Sequence, residues 1–348
     1  MGNEKNNLFT PFKIGNLEIK NRIVMPPMCM YSSNTDDGFV TDWHIQHYST
    51  RAIGGCGLII VEATAILPHV AMISDNDLGI WSDEHIEGLK KLVDAVHANG
   101  AKIGIQLNHA GRKCGSKKAS TTYAPSAIRF SDEFETPNEM SIDDIKYVTD
   151  NFILAVERAI KAGFDTVEIH SAHGYLISSF LSPLSNKRED EYGKNRVKFL
   201  EDILIKIKEK VNKDYPIIIR ISAFDWKEGG NTPSDFIQML KPLEDKKLFD
   251  AINVSSGAVV SDAKIIPYEG YQIPFARELK NEMSVPCIGG GLIIDYKMAN
   301  TIIRNGACDA IYIGRELLRN PYWALQASRA LNIDIDYFPK QYEMSKRL

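Results

Sequence analysis

Two histidines and a tyrosine lie close together near the middle of the chain, in the segment His170-Ser-Ala-His173-Gly-Tyr175. Neutral imidazoles can each donate one N–H to a shared acceptor, as the donors of an oxyanion hole do. Tyr175 would be protonated at neutral pH and could give up a proton. The trio predicts a site that stabilises an oxygen anion and supplies a proton. Packed wall residues and a metal site with a further ligand remain alternatives, although H-E-x-x-H is absent.

Two glycine-containing segments near the end of the chain have the composition of an anion site. Gly289-Gly290-Gly291 would let the backbone approach a ligand closely, and in Gly314-Arg315 the arginine adds a fixed positive charge. The alternative for each segment is a tight strand-to-helix turn with a surface arginine.

Arg220 and Cys29 are single candidates at the ends of apolar runs. A buried arginine needs an anionic or carbonyl partner. Arg220 could therefore form an internal ion pair with Glu62 or Glu168, or stabilise an anion on a bound cofactor. Cys29 could be an inert buried thiol, as most buried cysteines are.

The candidate residues must be positioned by secondary structure, and the sequence shows short β-rich runs that alternate with amphipathic helical segments. Near-continuous apolar runs are typical of parallel strands that are covered on both faces. Strands are predicted at Ile23–Pro26, Leu58–Glu62, Lys102–Leu107, Thr166–His170, Ile217–Ile221, Ala251–Val254, Pro286–Ile288 and Ala310–Ile313. Helices are predicted at His85–Asn99, Ile145–Ala162, Arg196–Lys210, Ser234–Leu243, Phe275–Glu282 and Tyr296–Asn305.

Eight strands alternating with helices predict an α/β fold, a (β/α)8 TIM barrel. Apolar residues alternate on both sides of Gly15-Asn16, which adds a short N-terminal β-hairpin that is predicted to cap the barrel. An open doubly wound sheet would need a G-x-G-x-x-G turn after its first strand, where the chain has Pro-Met-Cys-Met-Tyr. Barrel chemistry lies at the carboxyl ends of the strands, where every candidate above is predicted to lie. The long polar loop 108–141 is predicted to cover this mouth.

Composition limits the class of protein. The chain has 348 residues, with 41 Lys plus Arg against 45 Asp plus Glu, a net charge of −4. This gives no electrostatic reason to expect nucleic acid or an anionic membrane as a partner. Five cysteines without C-x-x-C spacing argue against a disulfide framework or a four-thiolate metal site. Without a signal core or a membrane-length apolar run, a cytoplasmic protein with one domain over residues 1–348 is predicted.

The sequence resembles the Old Yellow Enzyme family of FMN-dependent NAD(P)H oxidoreductases, and most of all its bacterial thermophilic-like ene-reductases. The resemblance runs from Leu8 to Glu343. Its motifs are Asn21-Arg22-Ile23-Val24-Met25 before Pro27-Met28-Cys29-Met30-Tyr31, Gln106 with His109-Ala110-Gly111-Arg112-Lys113, the histidine–tyrosine segment, Leu181-Ser-Pro-Leu-Ser-Asn186, and Ile313-Gly314-Arg315-Glu316.

The resemblance implies a role for each matching position. FMN contacts would come from Pro27, Met28, Cys29, Ala63, Gln106, Arg220, Gly289, Gly290, Gly291, Gly314 and Arg315. Cys29 would also tune the flavin potential. The substrate pocket would be lined by Tyr31, Lys113 and Ile73. His170 and His173 would bind the substrate carbonyl oxygen, and Tyr175 would be the proton donor.

The implied reaction is reduction of the C=C bond of α,β-unsaturated carbonyls and related activated alkenes. NADPH or NADH would reduce the flavin and depart, after which flavin N5 would give a hydride to the alkene in a ping-pong cycle. Small molecules would be the partners, in a homo-oligomer (dimer or tetramer). Alternatives are another FMN-barrel dehydrogenase, a flavin-free lyase or isomerase using the histidines, and a non-catalytic binding barrel.

Two positions depart from the family pattern. Pro26 stands where relatives often carry a hydrogen-bonding residue such as Ser, which would remove one flavin contact. Met344 stands where this subclass places an arginine that reaches the neighbouring subunit's active site. Lys346 or Arg347 would replace that cation, or the contact is missing. The tail 331–348 is thus predicted to lie at a subunit interface.

Overall fold

The buried apolar runs form a closed barrel of eight parallel strands in a computed structural model, which describes residues 6–346. Around the barrel the strands follow in the order β3, β4, β5, β8, β9, β10, β11 and β12, and β12 pairs with β3 to close it. The predicted (β/α)8 fold is confirmed. The strands are β1 Phe12–Ile14, β2 Leu17–Ile19, β3 Ile23–Met25, β4 Leu58–Ala65, β5 Lys102–Asn108, β6 Tyr123–Ala124, β7 Asn138–Glu139, β8 Thr166–Ser171, β9 Ile217–Ser222, β10 Ala251–Ser255, β11 Cys287–Gly289 and β12 Ala310–Tyr312.

Helices surround the barrel and include every helical segment that was predicted. They are α1 Asp42–Ile53, α2 His85–His97, α3 Ile142–Ala162, α4 Leu176–Leu181, α5 Glu191–Lys194, α6 Lys198–Lys210, α7 Pro233–Asp245, α8 Ile273–Glu282, α9 Tyr296–Arg304, α10 Arg315–Arg319 and α11 Trp323–Ala330. The longest, α3, begins with a capping box in which Ser141 and Asp144 bond reciprocally, and it stops at Gly163 with φ +92°. Helices α1, α4, α5, α10 and α11 were not predicted. Within residues 6–346, no helix is both long and apolar enough to cross a membrane.

The predicted hairpin is the antiparallel pair β1–β2, in which Phe12 pairs with Ile19 and Ile14 with Leu17. Its apolar side chains form one buried cluster with alternate residues of the barrel strands: Val24, Leu58, Ile60, Ile218, Ala251, Ile288, Ala310 and Tyr312. The hairpin leads directly into β3. It therefore covers the amino-terminal end of the barrel, away from the strand ends that carry the candidate residues.

The predicted loop 108–141 is folded rather than open. It contains the short 3-10 helix Gly111–Lys113 and the parallel pair β6–β7. Arg112 is buried there and donates from its guanidinium to the carbonyls of Ile128 and Val259. Because Val259 follows β10, this cation joins two loops at the carboxyl end of the barrel.

Candidate active site

A cavity of about 270 Å³ opens at the carboxyl ends of the strands. Six of the residues predicted to contact a cofactor line it together: Pro27, Met28, Arg220, Gly291, Gly314 and Arg315. Pro26, where the family pattern departs, lines it too. The remaining cofactor candidates, Cys29, Ala63, Gln106, Gly289 and Gly290, do not line this cavity.

The two histidines and the tyrosine form one cluster. The ring centroid of His170 lies 5.2 Å from that of His173 and 5.0 Å from that of Tyr175, both edge-on. The backbone of His173 has φ +60°, an uncommon conformation for a residue with a side chain. Its Nε2 lies 2.8 Å from the hydroxyl of Ser255, which lines the cavity. The cluster and the cavity are therefore contiguous.

The proton of His170 can be assigned from its contacts. Its Nδ1 accepts the backbone N–H of Ala172 at 3.3 Å, so the ring proton of a neutral His170 is on Nε2. Burial lowers the pKa of His170 well below its ordinary value, and the charges of His173, Arg220 and Lys113 lower it further. Burial, with Arg220 and Lys113, does the same to His173. Both rings are neutral N–H donors at physiological pH.

The phenol of Tyr175 keeps its proton. Burial raises its pKa above the ordinary value for tyrosine, and the nearby Cys29, Tyr31 and Asp77 act in the same direction. Tyr175 is therefore a neutral O–H group beside two neutral N–H groups.

Lys113 brings a cation to this cluster. Its Nζ donates to the backbone carbonyl of His173 at 2.9 Å and lies 5.0 Å from the ring centroid of Tyr175. Burial, together with the charge of the neighbouring Arg112, lowers the pKa of Lys113 to about 8. The charge of Lys113 is therefore present at neutral pH and lost in mildly alkaline solution.

Cys29 and Tyr31 lie on the loop after β3. The thiol of Cys29 is partly buried, and burial raises its pKa, with Asp77 and Glu62 adding to the effect. Cys29 is therefore a protonated thiol. Tyr31 is half exposed at the mouth. Ile73 lies on the loop after β4, where its N–H donates to the buried carboxylate of Asp77.

The glycine segments serve two purposes. A Cβ on Gly290 would lie 2.4 Å from the ring of Tyr312, and one on Gly289 would lie 2.8 Å from Ala276. These two glycines make room for neighbouring side chains. Gly291 has φ +102° and faces the cavity with Gly314, so the lining of the anion candidate is Gly291, Gly314 and Arg315.

Ala63 and Gln106 are paired positions on β4 and β5. The side-chain amide of Gln106 donates to Glu168 Oε1 at 2.7 Å. Arg220 lies on β9 and reaches the cavity, but its buried Nε has no hydrogen-bond partner. Among residues 6–346 no carboxylate lies within 4 Å of the Arg220 guanidinium, so neither ion pair left open by the sequence is formed as a direct contact.

Several residues that the sequence did not single out also line the cavity, among them Tyr271, Gln272 and Tyr312. The side-chain amide of Gln272 donates to the hydroxyls of Ser255 and Ser256, and its carbonyl accepts from Tyr312. Ser255 directly follows the predicted strand Ala251–Val254 and could have been found by that signal. Gln272 and Tyr271 precede α8, and nothing in their local sequence indicates a site.

The arrangement fits a flavin mononucleotide. A cationic side chain with an unpaired donor, Arg220, lines one cavity with two glycines and a second arginine, Arg315, which suits an anionic ligand with a phosphate group. Within the described residues, no group of three or more His, Cys, Asp or Glu side chains is placed to hold a metal ion.

Comparison with known proteins gives a consistent result. Residues 7–334 match the model of the NADH:flavin oxidoreductase / NADH oxidase family. An NADPH dehydrogenase of Clostridium acetobutylicum is 49% identical over 340 residues, covering 97% of this chain and 98% of that protein. An NADPH dehydrogenase of Bacillus subtilis is 48% identical over 340 residues, with the same coverage.

Solved structures agree with these relatives. TcOYE with pHBA has a TM-score of 0.80 and 27% identity, covering 94% of this chain and 93% of that one. The old yellow enzyme homologue from Zymomonas mobilis has a TM-score of 0.78 and 27% identity, covering 98% of this chain and 99% of that one. Morphinone reductase has a TM-score of 0.79 and 26% identity, covering 95% of this chain and 91% of that one.

Proposed function

The chain belongs to the NADH:flavin oxidoreductase / NADH oxidase family and is an FMN-dependent NADPH oxidoreductase of the Old Yellow Enzyme type; from this premise we propose that it reduces activated alkenes. The substrates are α,β-unsaturated carbonyls and related compounds whose C=C bond is conjugated to an electron-withdrawing oxygen group. The observation that carries the proposal is the cluster of two neutral histidines and a protonated Tyr175, with ring centroids about 5 Å apart, beside the cofactor cavity.

Bound FMN would accept a hydride from the nicotinamide and deliver one to the alkene. We propose that Pro27, Met28, Arg220, Gly291, Gly314 and Arg315 hold it, since these residues line the cavity. Cys29, Ala63, Gln106, Gly289 and Gly290 are proposed to complete the cofactor site, although they do not line this cavity. Because the chain belongs to a family of flavin oxidoreductases, the flavin-free lyase, the isomerase and the non-catalytic binding barrel are excluded.

The histidines polarise the substrate. His170 Nε2–H and an N–H of His173 donate to the carbonyl oxygen, where negative charge grows as the alkene is reduced. Because both rings are neutral, they donate without transferring a proton to the oxygen. Tyr175 then donates its phenolic proton to the α-carbon and recovers one from solvent.

The other site residues position the substrate. Lys113 lies against the backbone of His173 and the ring of Tyr175, so its cation helps to fix both groups. Tyr31 and Ile73 close the pocket from the loops after β3 and β4, and Cys29 presents a neutral thiol to the cofactor. Nicotinamide and alkene would occupy this pocket in turn, which requires ping-pong kinetics; intersecting double-reciprocal lines would contradict that order.

An anaerobic spectral experiment tests the function. The yellow protein is expected to bleach with one equivalent of NADPH and to regain its colour when 2-cyclohexenone is added. Cyclohexanone, which has the carbonyl but no C=C bond, is the matched control and should not restore the colour. Bleaching by NADPH without recovery on any enone, nitroalkene or maleimide would leave the protein an NADPH oxidoreductase but refute alkene reduction.

The oligomeric state and the cellular location of the protein are also proposed. We propose a homo-oligomer, a dimer or tetramer, because the tail exposes the apolar side chain of Met344, which is 95% accessible. Lys346 pairs with Asp334 of its own chain at 2.7 Å, so it is engaged within the chain, and Arg347 lies outside the described residues. A reducing cytoplasmic setting is supported by five free cysteines.

A further inference from the structure

Glu168 is a fully buried carboxylate inside the barrel. It precedes His170 by two positions on β8, so both side chains lie on the same face of the strand. Its contacts with Gln106 of β5 and Asn253 of β10 place that face in the barrel interior. Glu168 thus lies one layer deeper than the histidine cluster, and the proposed mechanism assigns it no part.

The carboxylate fixes the orientation of two side-chain amides. Gln106 donates to Oε1 and Asn253 donates to Oε2, each at 2.7 Å. An ionised carboxylate only accepts hydrogen bonds, so each amide must turn its NH₂ group towards Glu168. The carbonyl oxygen of Gln106 is thereby directed away from Glu168 and is free to accept from another group. The buried carbonyl oxygen of Asn253 has no partner within residues 6–346.

Arg220 supplies the opposite charge. It pairs in register with His170 on one side and Asn253 on the other, and only 7% of its surface is exposed. Burial raises the pKa of Glu168 above its ordinary value, although the charge of Arg220 and the two amide donors oppose that rise. Arg220 and ionised Glu168 together add no net charge to this layer, whereas Arg220 alone would add one positive charge.

We propose that Glu168 is a positioning residue for the cofactor: it holds the carbonyl oxygen of Gln106 towards the flavin and offsets the charge of Arg220. This inference depends on the proposed roles of Gln106 and Arg220. Two electrons and one proton, delivered as a hydride from NADPH, add one negative charge to FMN. A site with less positive charge favours that reduced form less, so Glu168 keeps the bound FMN a stronger reductant.

Glu168→Gln tests the charge, because it keeps the size and removes the negative charge. At a fixed potential set by a reference dye, the ratio of reduced to oxidised FMN is expected to rise at least tenfold, which is about 30 mV for a two-electron couple. Glu87→Gln is the matched control. Glu87 is an exposed carboxylate of α2 that pairs with Lys91, and its replacement should leave the ratio unchanged. An unchanged or lower ratio in a folded, FMN-loaded Glu168→Gln protein overturns the proposal.

Glu168→Asp tests the amide contact and remains informative if Glu168→Gln does not fold. It keeps the charge but cannot reach Gln106 and Asn253 equally well. The apoprotein is expected to bind FMN at least tenfold more weakly, measured by quenching of FMN fluorescence, with the reduced-to-oxidised ratio near that of the wild type. Equal FMN affinity would contradict the positioning role. Neither readout uses an alkene, so failure of alkene reduction and failure of this inference are distinguishable.

Discussion

Tyr175 is the residue on which the proposed alkene chemistry depends most directly, because its phenol is proposed to give the proton that the α-carbon receives. Tyr175→Phe removes the phenol and keeps the ring that packs against His170. General acids contribute roughly 10²–10⁴-fold, so alkene turnover should fall by about that factor. Reduction of the flavin by NADPH needs no proton from Tyr175 and should stay within about twofold of the wild type. Stopped-flow measurement of each half-reaction checks the prediction.

A quinone is the matched acceptor for this variant, since its reduction needs no proton on carbon. Tyr175→Phe should therefore reduce quinones nearly as well as the wild type. Equal losses in both half-reactions would mean that Tyr175 shapes the pocket rather than donating the proton.

Lys113 gives the site a pH dependence. Burial lowers its pKa to about 8, so its charge is present below that pH and disappears above it. NADPH is an anion, and kcat/KM for NADPH should fall as the pH rises through about 8. Lys113→Arg, whose guanidinium stays charged, should postpone the fall to higher pH. In Lys113→Met, kcat/KM for NADPH should already be low at neutral pH and should not change near pH 8. If kcat/KM for NADPH falls at the same pH in Lys113→Arg, the titrating group is not Lys113.

Most of the candidate residues could be predicted because residue type and strand end were both visible in the sequence. His170, Arg220 and Gly314 each follow an apolar run, and a barrel brings all such ends to one mouth. Gln272 and Tyr271 could not be found in this way. They reach the cavity through the loop between β10 and α8, whose path depends on tertiary contacts rather than on a local pattern.

At the scale of elements, α1 shows where sequence patterns fail. Its buried face is formed by His44, His47, Tyr48, Arg51 and Ala52, most of which are not apolar, so it gives no amphipathic signal. Tyr48 joins this helix to the barrel, because its hydroxyl donates to Glu62 Oε2 at 2.8 Å and accepts the N–H of Glu62 at 3.0 Å. The other oxygen of Glu62 accepts the N–H of Met30 at 3.1 Å.

Tyr48→Phe should destabilise the protein through this junction. It leaves an N–H and a carboxylate oxygen of Glu62 without a partner in a buried place, which costs about 1–3 kcal/mol. Urea unfolding followed by circular dichroism measures the loss. Tyr147→Phe is the matched control, since Tyr147 is an exposed tyrosine of α3 and should cost less than about 0.5 kcal/mol. Similar losses in both variants would show that the Glu62 contact contributes little.

At the scale of the whole molecule, the two ends of the barrel have different roles. The carboxyl end carries the cavity and the histidine cluster, and the amino end is closed by the apolar side chains of the β1–β2 hairpin. The hairpin itself could be predicted from its alternating pattern around Gly15-Asn16. That it caps the barrel was predicted as well, but the end that it covers could not be, because strand alternation marks which residues are buried and not which surface covers them.

This division predicts that stability and catalysis can be changed separately. Ile14 is fully buried in the cluster that closes the amino end. Ile14→Ala should lower the free energy of unfolding by about 2–5 kcal/mol, through lost apolar contact and a cavity. Turnover per bound FMN, measured well below the unfolding temperature, should be unchanged, since the hairpin contributes no residue to the cavity. Lys13→Ala, at the exposed neighbouring position, should change neither quantity. Lower turnover in Ile14→Ala with FMN fully bound would mean that packing at the closed end reaches the strand ends that hold the cofactor, and the two ends of the barrel would then have to be treated as one coupled unit.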